Sequence, residues 1–217
     1  VNLAEKIKII SIEFENYRQY MDYHKLEFKN REEGFTVVVG ENGAGKSNLL
    51  NLTYWCFYKK EPHGKKNKGY YIINNEYLKN LENGQTATMS VKIKIQKGSD
   101  QYQISRILKC VKNEYQYEKS ESGSGRKLKT TTTHGYLLPE GCEVLENQST
   151  FEIMKKQKSD LDFHPVRDVT PITLMNEILP ETLSAYFILD GEYLEKFWGE
   201  IKKVETGVEQ ISQLHLV

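Results

Sequence analysis

A single eight-residue segment constrains the fold of this chain more than any other feature. Residues 40–47 read GENGAGKS, which matches the pattern G-x-x-x-x-G-K-[ST]. Glycines at this spacing let successive backbone N–H groups point into one concavity that cradles phosphates. The segment therefore predicts a phosphate-binding loop followed by a helix whose N-terminus faces the anion.

Two side chains of this loop carry the predicted chemistry. We expect Lys46 to reach the β- and γ-phosphates as a mobile positive charge that serves both binding and catalysis. We expect the Ser47 hydroxyl to take one octahedral position on Mg²⁺. The predicted ligands are a nucleoside triphosphate and Mg²⁺. The other predicted binding residues of the loop are Gly40, Asn42, Gly43, Ala44 and Gly45.

The segments on both sides of the loop support this interpretation. Residues 35–39 (FTVVV) form a short β-branched run of the buried-strand type, and residues 48–57 have the apolar spacing of a helix. We therefore predict a buried strand, the loop and a helix in succession. A phosphate-binding loop requires this context.

Length and composition exclude several classes of protein. The 217 residues suffice for one large domain or two small ones. No apolar stretch approaches the ~20 residues of a membrane span, and the N-terminus lacks the apolar core of a signal peptide. The three cysteines form no CxxC pair, which argues against a disulfide framework or a zinc site and favours buried thiols. We expect a cytoplasmic protein with no membrane partner.

Positive charge is concentrated locally rather than over the whole chain. The 30 lysines and arginines balance 30 aspartates and glutamates, so the net charge gives no argument for a nucleic-acid partner. Basic clusters nevertheless occur in residues 59–68 and 125–129. Either cluster can contact a phosphodiester backbone or belong to a solvated loop, and both interpretations stay open.

Alternating apolar and polar residues predict a largely antiparallel β-region, because a half-buried strand has a side-chain period of two. A short helix or an irregular element is predicted over residues 74–81. The predicted strand pairs are 7–14 with 23–28, 86–95 with 101–108, and 114–119 with 128–138.

From residue 147 the pattern changes to that of helices. Residues 149–152 (STFE) have the form of a capping box, and Thr170 with Pro171 is a favourable start for a helix that ends before Pro180. Residues 185–189 read as a short apolar strand. The predicted segments are a β-rich lobe with the loop over 1–145, a helical lobe over 146–200, and the start of a longer helix over 201–217.

The order of these elements resembles the N-terminal half of an ATPase head of the structural-maintenance-of-chromosomes (SMC) and double-strand-break-repair type, within the ABC superclass. The loop and the trailing Asn48 are similar to those of that family, and residues 14–18 (FENYR) are similar to its N-F-R turn. The resemblance implies an α/β P-loop fold with an antiparallel meander and a following helical region. It further implies that ATP is the nucleotide and that Arg18 and Asn48 contact it.

Two further segments resemble a narrower group. Residues 175–180 (MNEILP) and 185–192 (AYFILDGE) are similar to segments of the DNA sulfur-modification ATPase family DndD and of Lamassu-type antiphage-defence ATPases. This resemblance implies a role in bacterial antiphage defence, DNA modification or repair.

Asp190 has two possible roles. In the family alignment it stands where many relatives have the Q-loop glutamine, which reaches toward Mg²⁺ and the attacking water. Four apolar residues before an aspartate also match a Walker B strand, whose carboxylate holds Mg²⁺ through water. Both readings place Asp190 at the metal and in catalysis. The Q-loop reading is favoured, because no signature loop precedes Asp190.

The elements that would complete such a head are missing after residue 192. No second apolar run ends in Asp-Glu, and no signature loop or switch histidine follows. With a first residue that is not Met, these features lead us to expect a half-head that ends as a coiled coil begins. The resemblance implies as partners the C-terminal half of the same head, a second head in a homodimer, double-stranded DNA, and a nuclease or other effector.

Two other classes remain as alternatives. The chain could be a self-contained P-loop kinase or GTPase with Asp190 as its Walker B residue. Against this, it lacks an arginine-rich lid and the N/T-K-x-D guanine motif. It could instead be a scaffold in which the nucleotide only controls dimerisation.

Overall fold

The computed structural model describes residues 7–28, 36–61, 71–113, 117–119, 126–128, 130–133 and 135–188. Within these ranges, antiparallel strands dominate a mixed α/β fold. The elements are β1 (Ile7–Tyr17), β2 (Tyr20–Glu27), α1 (Lys46–Tyr58), α2 (Asn75–Asn80), β3 (Thr86–Lys97), β4 (Asp100–Lys112), β5 (Tyr117–Lys119), β6 (Arg126–Leu128), β7 (Thr130–Thr133), β8 (Tyr136–Pro139), β9 (Cys142–Val144), β10 (Thr150–Lys156), β11 (His164–Pro165), α3 (Pro171–Ile178) and α4 (Glu181–Phe187).

One seven-stranded antiparallel sheet forms the centre of the molecule. Its order is β11-β10-β4-β3-β1-β2, and β9 also pairs with β4. The long β3–β4 hairpin turns at Gly98, which adopts φ 59°, and closes with Lys97 opposite Asp100. Alternate residues of β3 are buried, as the period of a half-buried strand requires. The predicted hairpin of residues 86–95 and 101–108 is therefore confirmed.

The first two strands also pair as predicted. β1 and β2 are antiparallel and are joined by a tight turn at Arg18 and Gln19. Arg18 lies in the left-handed region with φ 49°. Its backbone N–H donates to the Ile72 carbonyl at 2.8 Å, which fixes the turn to the segment that precedes α2.

The helix that follows the loop is buried on all sides in its second half, whereas its first turn is partly exposed. Residues 51–57 of α1 are all buried, so this helix lies in the core rather than on the surface. The Cys56 thiol approaches the carbonyls of Val91 and Ile104, each at 3.7 Å, which places the helix against the sheet. At its C-terminus, the Arg106 guanidinium donates to the Cys56 and Phe57 carbonyls at 2.7 and 3.1 Å.

The short helix α2 is held at both ends, and it confirms the prediction over residues 74–81. Asn74 caps its N-terminus, because the Asn74 side-chain oxygen accepts from the Tyr77 N–H at 2.8 Å. At the other end the buried Lys112 ammonium donates to the Leu78 and Leu81 carbonyls at 2.7 and 2.5 Å.

Helices α3 and α4 pack beside α1. α3 starts as predicted, with Thr170 as its cap and Pro171 in its first turn, and it ends before Pro180. The Tyr58 hydroxyl donates to the Leu179 carbonyl at 2.8 Å, and the Ser184 hydroxyl donates to that of Tyr54 at 2.9 Å. These contacts connect the two helices to the helix that carries the loop.

The helix predicted from residue 147 is wrong at its start. Residues 150–156 form β10, which pairs with β4 along its whole length. The Ser149 hydroxyl accepts from the Lys109 N–H at 3.1 Å on that neighbouring strand, so it caps no helix. Cross-strand pairing has overridden a local capping pattern. The main sheet thereby extends past residue 145, and the division into lobes stays a prediction.

Two other local predictions are corrected. Residues 185–187, predicted as an apolar strand, are the last turn of α4. The hairpin predicted between residues 114–119 and 128–138 is replaced by two shorter ones, β5 with β6 and β7 with β8. In both cases, residues closer in the chain form the backbone hydrogen bonds that the predicted strands would have formed.

The strand predicted before the loop is also wrong for its described part. Residues 36–39 form no strand, and Val37, Val38 and Val39 are 66%, 48% and 88% exposed. Within the described ranges no strand pairs with this segment. Among the described residues, the β-branched run therefore has neither a neighbouring strand nor a surface that covers it.

Three sequence predictions can be compared with the structure directly. Cys56, Cys110 and Cys142 are buried thiols, as expected. In the described part of the chain, no helix is long and apolar enough to cross a membrane. The confirmed parts of the fold agree with the predicted α/β P-loop class and its antiparallel meander.

Candidate nucleotide-binding site

The loop of residues 40–47 ends at the N-terminus of α1. Gly43 and Gly45 adopt φ 84° and 95°, and Gly45 is the residue that precedes the helix. The Asn48 N–H donates to the Gly45 carbonyl at 2.8 Å. The N–H groups of Lys46 and Ser47 lie at the start of the helix, where N–H groups have no intrahelical acceptor. Such an end favours an anion through both its donors and the helix dipole.

The Lys46 side chain folds back over the loop. Its ammonium donates to the carbonyl oxygens of Gly40 and Glu41 at 2.7 and 2.8 Å. The ammonium is thus held at the mouth of the loop by neutral acceptors. A phosphate oxygen is a stronger acceptor for this cation than a carbonyl is. Ser47, the next residue, is exposed.

The β1–β2 turn lies directly against the loop. The Asn48 side-chain amide donates to the Gln19 Oε1 at 2.7 Å, and the Tyr20 hydroxyl donates to the Gly45 carbonyl at 3.2 Å. A Cβ on Gly45 would lie 1.4 Å from the Gln19 Nε2. The close approach and the positive φ together explain why this position needs glycine.

A cleft of about 710 Å³ opens between the loop, the turn and the segment around α2. Among the predicted site residues, it brings together Arg18, Asn42, Gly43, Gly45, Lys46, Ser47 and Asn48. Gly40 and Ala44 belong to the same loop but do not line the cleft. Asp190 lies outside the described residues.

Arg18 forms a buried ion pair in this wall. Its Nε and Nη2 donate to the two carboxylate oxygens of Glu61, each at 2.8 Å. The Arg18 side chain is 10% exposed and that of Glu61 is 1% exposed. Burial acts to lower the pKa of Arg18, but the hydrogen bonds and the charge of Glu61 raise it above its usual value. Arg18 therefore remains a cation.

The opposite wall was not predicted from the sequence. It is formed by Tyr71, Ile73, Asn74, Asn75 and Glu76. The Asn74 Nδ2 donates to the Arg18 carbonyl at 2.8 Å, so this capping residue also joins the two walls. The predicted helix at residues 74–81 indicated the local structure, but no local pattern indicated that it would face the loop.

The residues present fit a nucleotide with Mg²⁺. The loop has the left-handed glycines that turn N–H groups toward a phosphate, and the cleft has the size of a small-molecule site. Among the described residues, no group of three His, Cys, Asp or Glu side chains could hold a metal by itself. Mg²⁺ in nucleotide sites uses one or two protein ligands besides phosphate oxygens and water, and Ser47 can supply one.

The sequence matches the AAA domain family over residues 11–213. It is also similar to the DNA replication and repair protein RecF of Chlorobium luteolum (strain DSM 273 / BCRC 81028 / 2530). The two are 28% identical over 108 residues, which cover 46% of this chain and 27% of RecF. The match thus spans about a quarter of this curated relative. Both matches support an ATPase head of the SMC and RecF type. The chain belongs to the AAA domain family and is a P-loop ATPase domain.

Proposed function

We propose that this chain is the ATP-binding half of an SMC-like ATPase head, which hydrolyses ATP when two heads dimerise and couples that cycle to DNA. The observation that carries the proposal is the cleft in which the phosphate-binding loop and Arg18 lie on one wall. The cation of Arg18 comes from the β1–β2 turn, and the Lys46 ammonium and the helix N–H groups come from the loop. Donors from these two parts of the chain converge in the cleft, which suits a triphosphate.

In this proposal each residue of the loop has a defined task. The N–H groups of Lys46 and Ser47 bind phosphate oxygens, and the Lys46 ammonium leaves the Gly40 and Glu41 carbonyls to bind the β- and γ-phosphates. Ser47 supplies one ligand to Mg²⁺, and Arg18 supplies a second cation. Bound Mg²⁺ would neutralise charge on the phosphates during transfer. Asp190 acts as the Q-loop residue, or alternatively as a Walker B carboxylate.

The C-terminal half of the head is proposed as the first partner. The exposed run of Val37, Val38 and Val39 supports this, because a β-branched segment beside the loop that pairs with no described strand is suited to pairing with a further one. RecF, which matches over only 27% of its own length, supports a longer protein. A second head would then complete the catalytic site over the γ-phosphate.

DNA is proposed as the macromolecular substrate. The name of RecF, a DNA replication and repair protein, supports this class of partner. Lys59 and Lys60 contribute positive charge beyond the C-terminus of α1 and are candidates for backbone contacts. The resemblance of residues 175–180 and 185–192 to DndD and Lamassu-type ATPases supports a role in antiphage defence or DNA modification, with a nuclease or other effector as a further partner.

The test is ATP turnover by the full-length protein, with and without double-stranded DNA. We expect DNA to stimulate turnover, Lys46→Ala to abolish it, and the matched charge removal Lys92→Ala on β3 to leave it unchanged. Activity that persists in Lys46→Ala would contradict the proposal. If the 217-residue chain alone turns over as fast as the full-length protein, the chain is a self-contained P-loop enzyme instead. Nucleotide binding without any turnover would indicate a dimerisation scaffold.

A further inference from the structure

The buried carboxylate of Glu61 takes no part in the loop chemistry, yet it contacts Arg18, which among the described residues is the one cation of the cleft wall outside the loop. We propose that Glu61 is a positioning residue: it orients the Arg18 guanidinium so that its remaining N–H groups face the nucleotide phosphates. This inference rests on the proposed function, because it assigns a role within the same ATP site.

The backbone around Arg18 is fixed on both sides. Its N–H donates to the Ile72 carbonyl, and its own carbonyl accepts from the Asn74 Nδ2, each at 2.8 Å. The adjacent Gln19 accepts from Asn48 at the loop. With the main chain held in this way, the direction of the guanidinium depends on what its side chain contacts.

Glu61 fixes that direction through a two-point contact. Its oxygens accept from the Nε and Nη2 of Arg18, which lie on one edge of the planar guanidinium. Glu61 does not engage Nη1. A bidentate contact restricts rotation of the group and leaves the Nη1 edge to bind an anion.

Burial keeps the Glu61 carboxylate paired with Arg18. Glu61 is 1% exposed, and besides Arg18 it accepts one hydrogen bond from the Tyr17 hydroxyl at 2.5 Å. If Arg18 left, a carboxylate would remain buried with a single neutral donor, which is strongly unfavourable. The ion pair should therefore persist when nucleotide binds, and Glu61 should assist binding instead of competing with it.

A double-mutant cycle on the full-length protein tests this mechanism. The probe is a non-hydrolysable ATP analogue with Mg²⁺, and the readout is its dissociation constant. We expect Arg18→Ala and Glu61→Gln each to weaken binding about tenfold, the range of a charge-assisted hydrogen bond. The double variant should be no weaker than either single variant, because Glu61 acts only through Arg18. Glu181→Gln, which removes a carboxylate from the exposed ion pair with Lys60, is the matched control and should bind like wild type.

Three results would overturn the inference. Unchanged binding by Glu61→Gln would show that Arg18 needs no orientation, and tighter binding would show that Glu61 competes with the nucleotide. Losses that multiply in the double variant would show that the two residues act separately. If Glu61→Gln does not fold, Glu61→Asp enters the same cycle, since it keeps the charge and shortens the side chain.

The same measurements distinguish the two proposals. If wild type binds the analogue and Lys46→Ala does not, the ATP site stands whatever Glu61 does. If Lys46→Ala binds as wild type does, the proposed site itself is wrong, and the role of Glu61 fails with it.

Discussion

Gln19 and Asn48 are joined side chain to side chain where the β1–β2 turn meets the phosphate-binding loop. The Asn48 Nδ2 donates to the Gln19 Oε1 at 2.7 Å, although the two residues are 29 positions apart. The Gln19 Nε2 also lies 3.5 Å from the Ala44 carbonyl. One amide therefore connects the turn that carries Arg18 to both the loop and the helix behind it.

Gln19→Met should weaken nucleotide binding by about three- to tenfold, because one neutral hydrogen bond contributes about 0.5–1.5 kcal/mol. The bond is exposed, so thermal stability should change little. The dissociation constant of an ATP analogue and the melting temperature are the two measurements. Gln103→Met on β4, outside the cleft, is the control. Equal affinities for wild type and Gln19→Met would contradict this role.

Gly45→Ala should weaken nucleotide binding by far more than its backbone strain alone explains. The alanine would adopt φ 95°, which costs roughly 1–2 kcal/mol for a residue with a Cβ. Its Cβ would also lie 1.4 Å from the Gln19 Nε2, so the Gln19 side chain would have to move away and lose its contact with Asn48. We expect isothermal titration calorimetry to detect no nucleotide binding by this variant.

Gly84→Ala is the control for that substitution. Gly84 has φ 83°, yet nothing lies within 4 Å of its Cβ position. Gly84→Ala should therefore show only the effect of backbone strain, which is a lower melting temperature with an unchanged affinity for the nucleotide. Similar binding by both variants would mean that the contact with Gln19 is unimportant.

The features that were predicted correctly depend on neighbouring residues. The loop follows from eight consecutive residues, and the β3–β4 hairpin follows from alternation on both sides of Gly98. Thr170 and Pro171 likewise determine the start of α3 through local capping geometry. In each case the physical cause acts within a few residues of the chain, so the sequence pattern is sufficient.

The features that were missed depend on distant partners. Ser149 matches a capping box, but its hydroxyl is engaged by Lys109, 40 residues away, on the strand that pairs with β10. Val37–Val39 reads as a buried strand, but burial requires a partner that the described residues do not supply. The Glu61 that holds Arg18 comes from 43 residues along the chain. Nothing in the local pattern of residues 59–61 indicates that contact.

Lys112→Met should destabilise the protein by about 3 kcal/mol, because it leaves buried carbonyls of α2 without their charged donor. The Lys112 ammonium donates to the Leu78 and Leu81 carbonyls, and α2 forms part of the cleft wall. The free energy of unfolding in urea measures the loss. Lys79→Met, at a side chain 63% exposed on the same helix, should change stability by only about 0.5 kcal/mol. Equal effects would show that Lys112 does not anchor α2.

The Cys56 thiol should make the protein less stable at alkaline pH. Burial raises the pKa of Cys56 to about 12, whereas a thiol in an unfolded chain has a pKa of about 8.5. Between these values the unfolded state has released its proton and the folded state has kept it. The free energy of unfolding should therefore fall with rising pH, by about 1.4 kcal/mol per unit from this group, and the contribution is fully retained below about pH 8.5.

Urea denaturation between pH 7.5 and 10 measures this slope, with Cys56→Ala as the reference. The alanine variant is less stable at every pH because it leaves a small cavity against Val91 and Ile104, so the slopes are compared instead of the absolute values. The wild-type slope above pH 9 should be steeper than that of Cys56→Ala, since only the wild type has at position 56 a buried thiol that keeps a proton the unfolded chain has lost. Identical slopes would mean that water reaches the thiol, and that α1 is packed less tightly against the sheet than its contacts indicate.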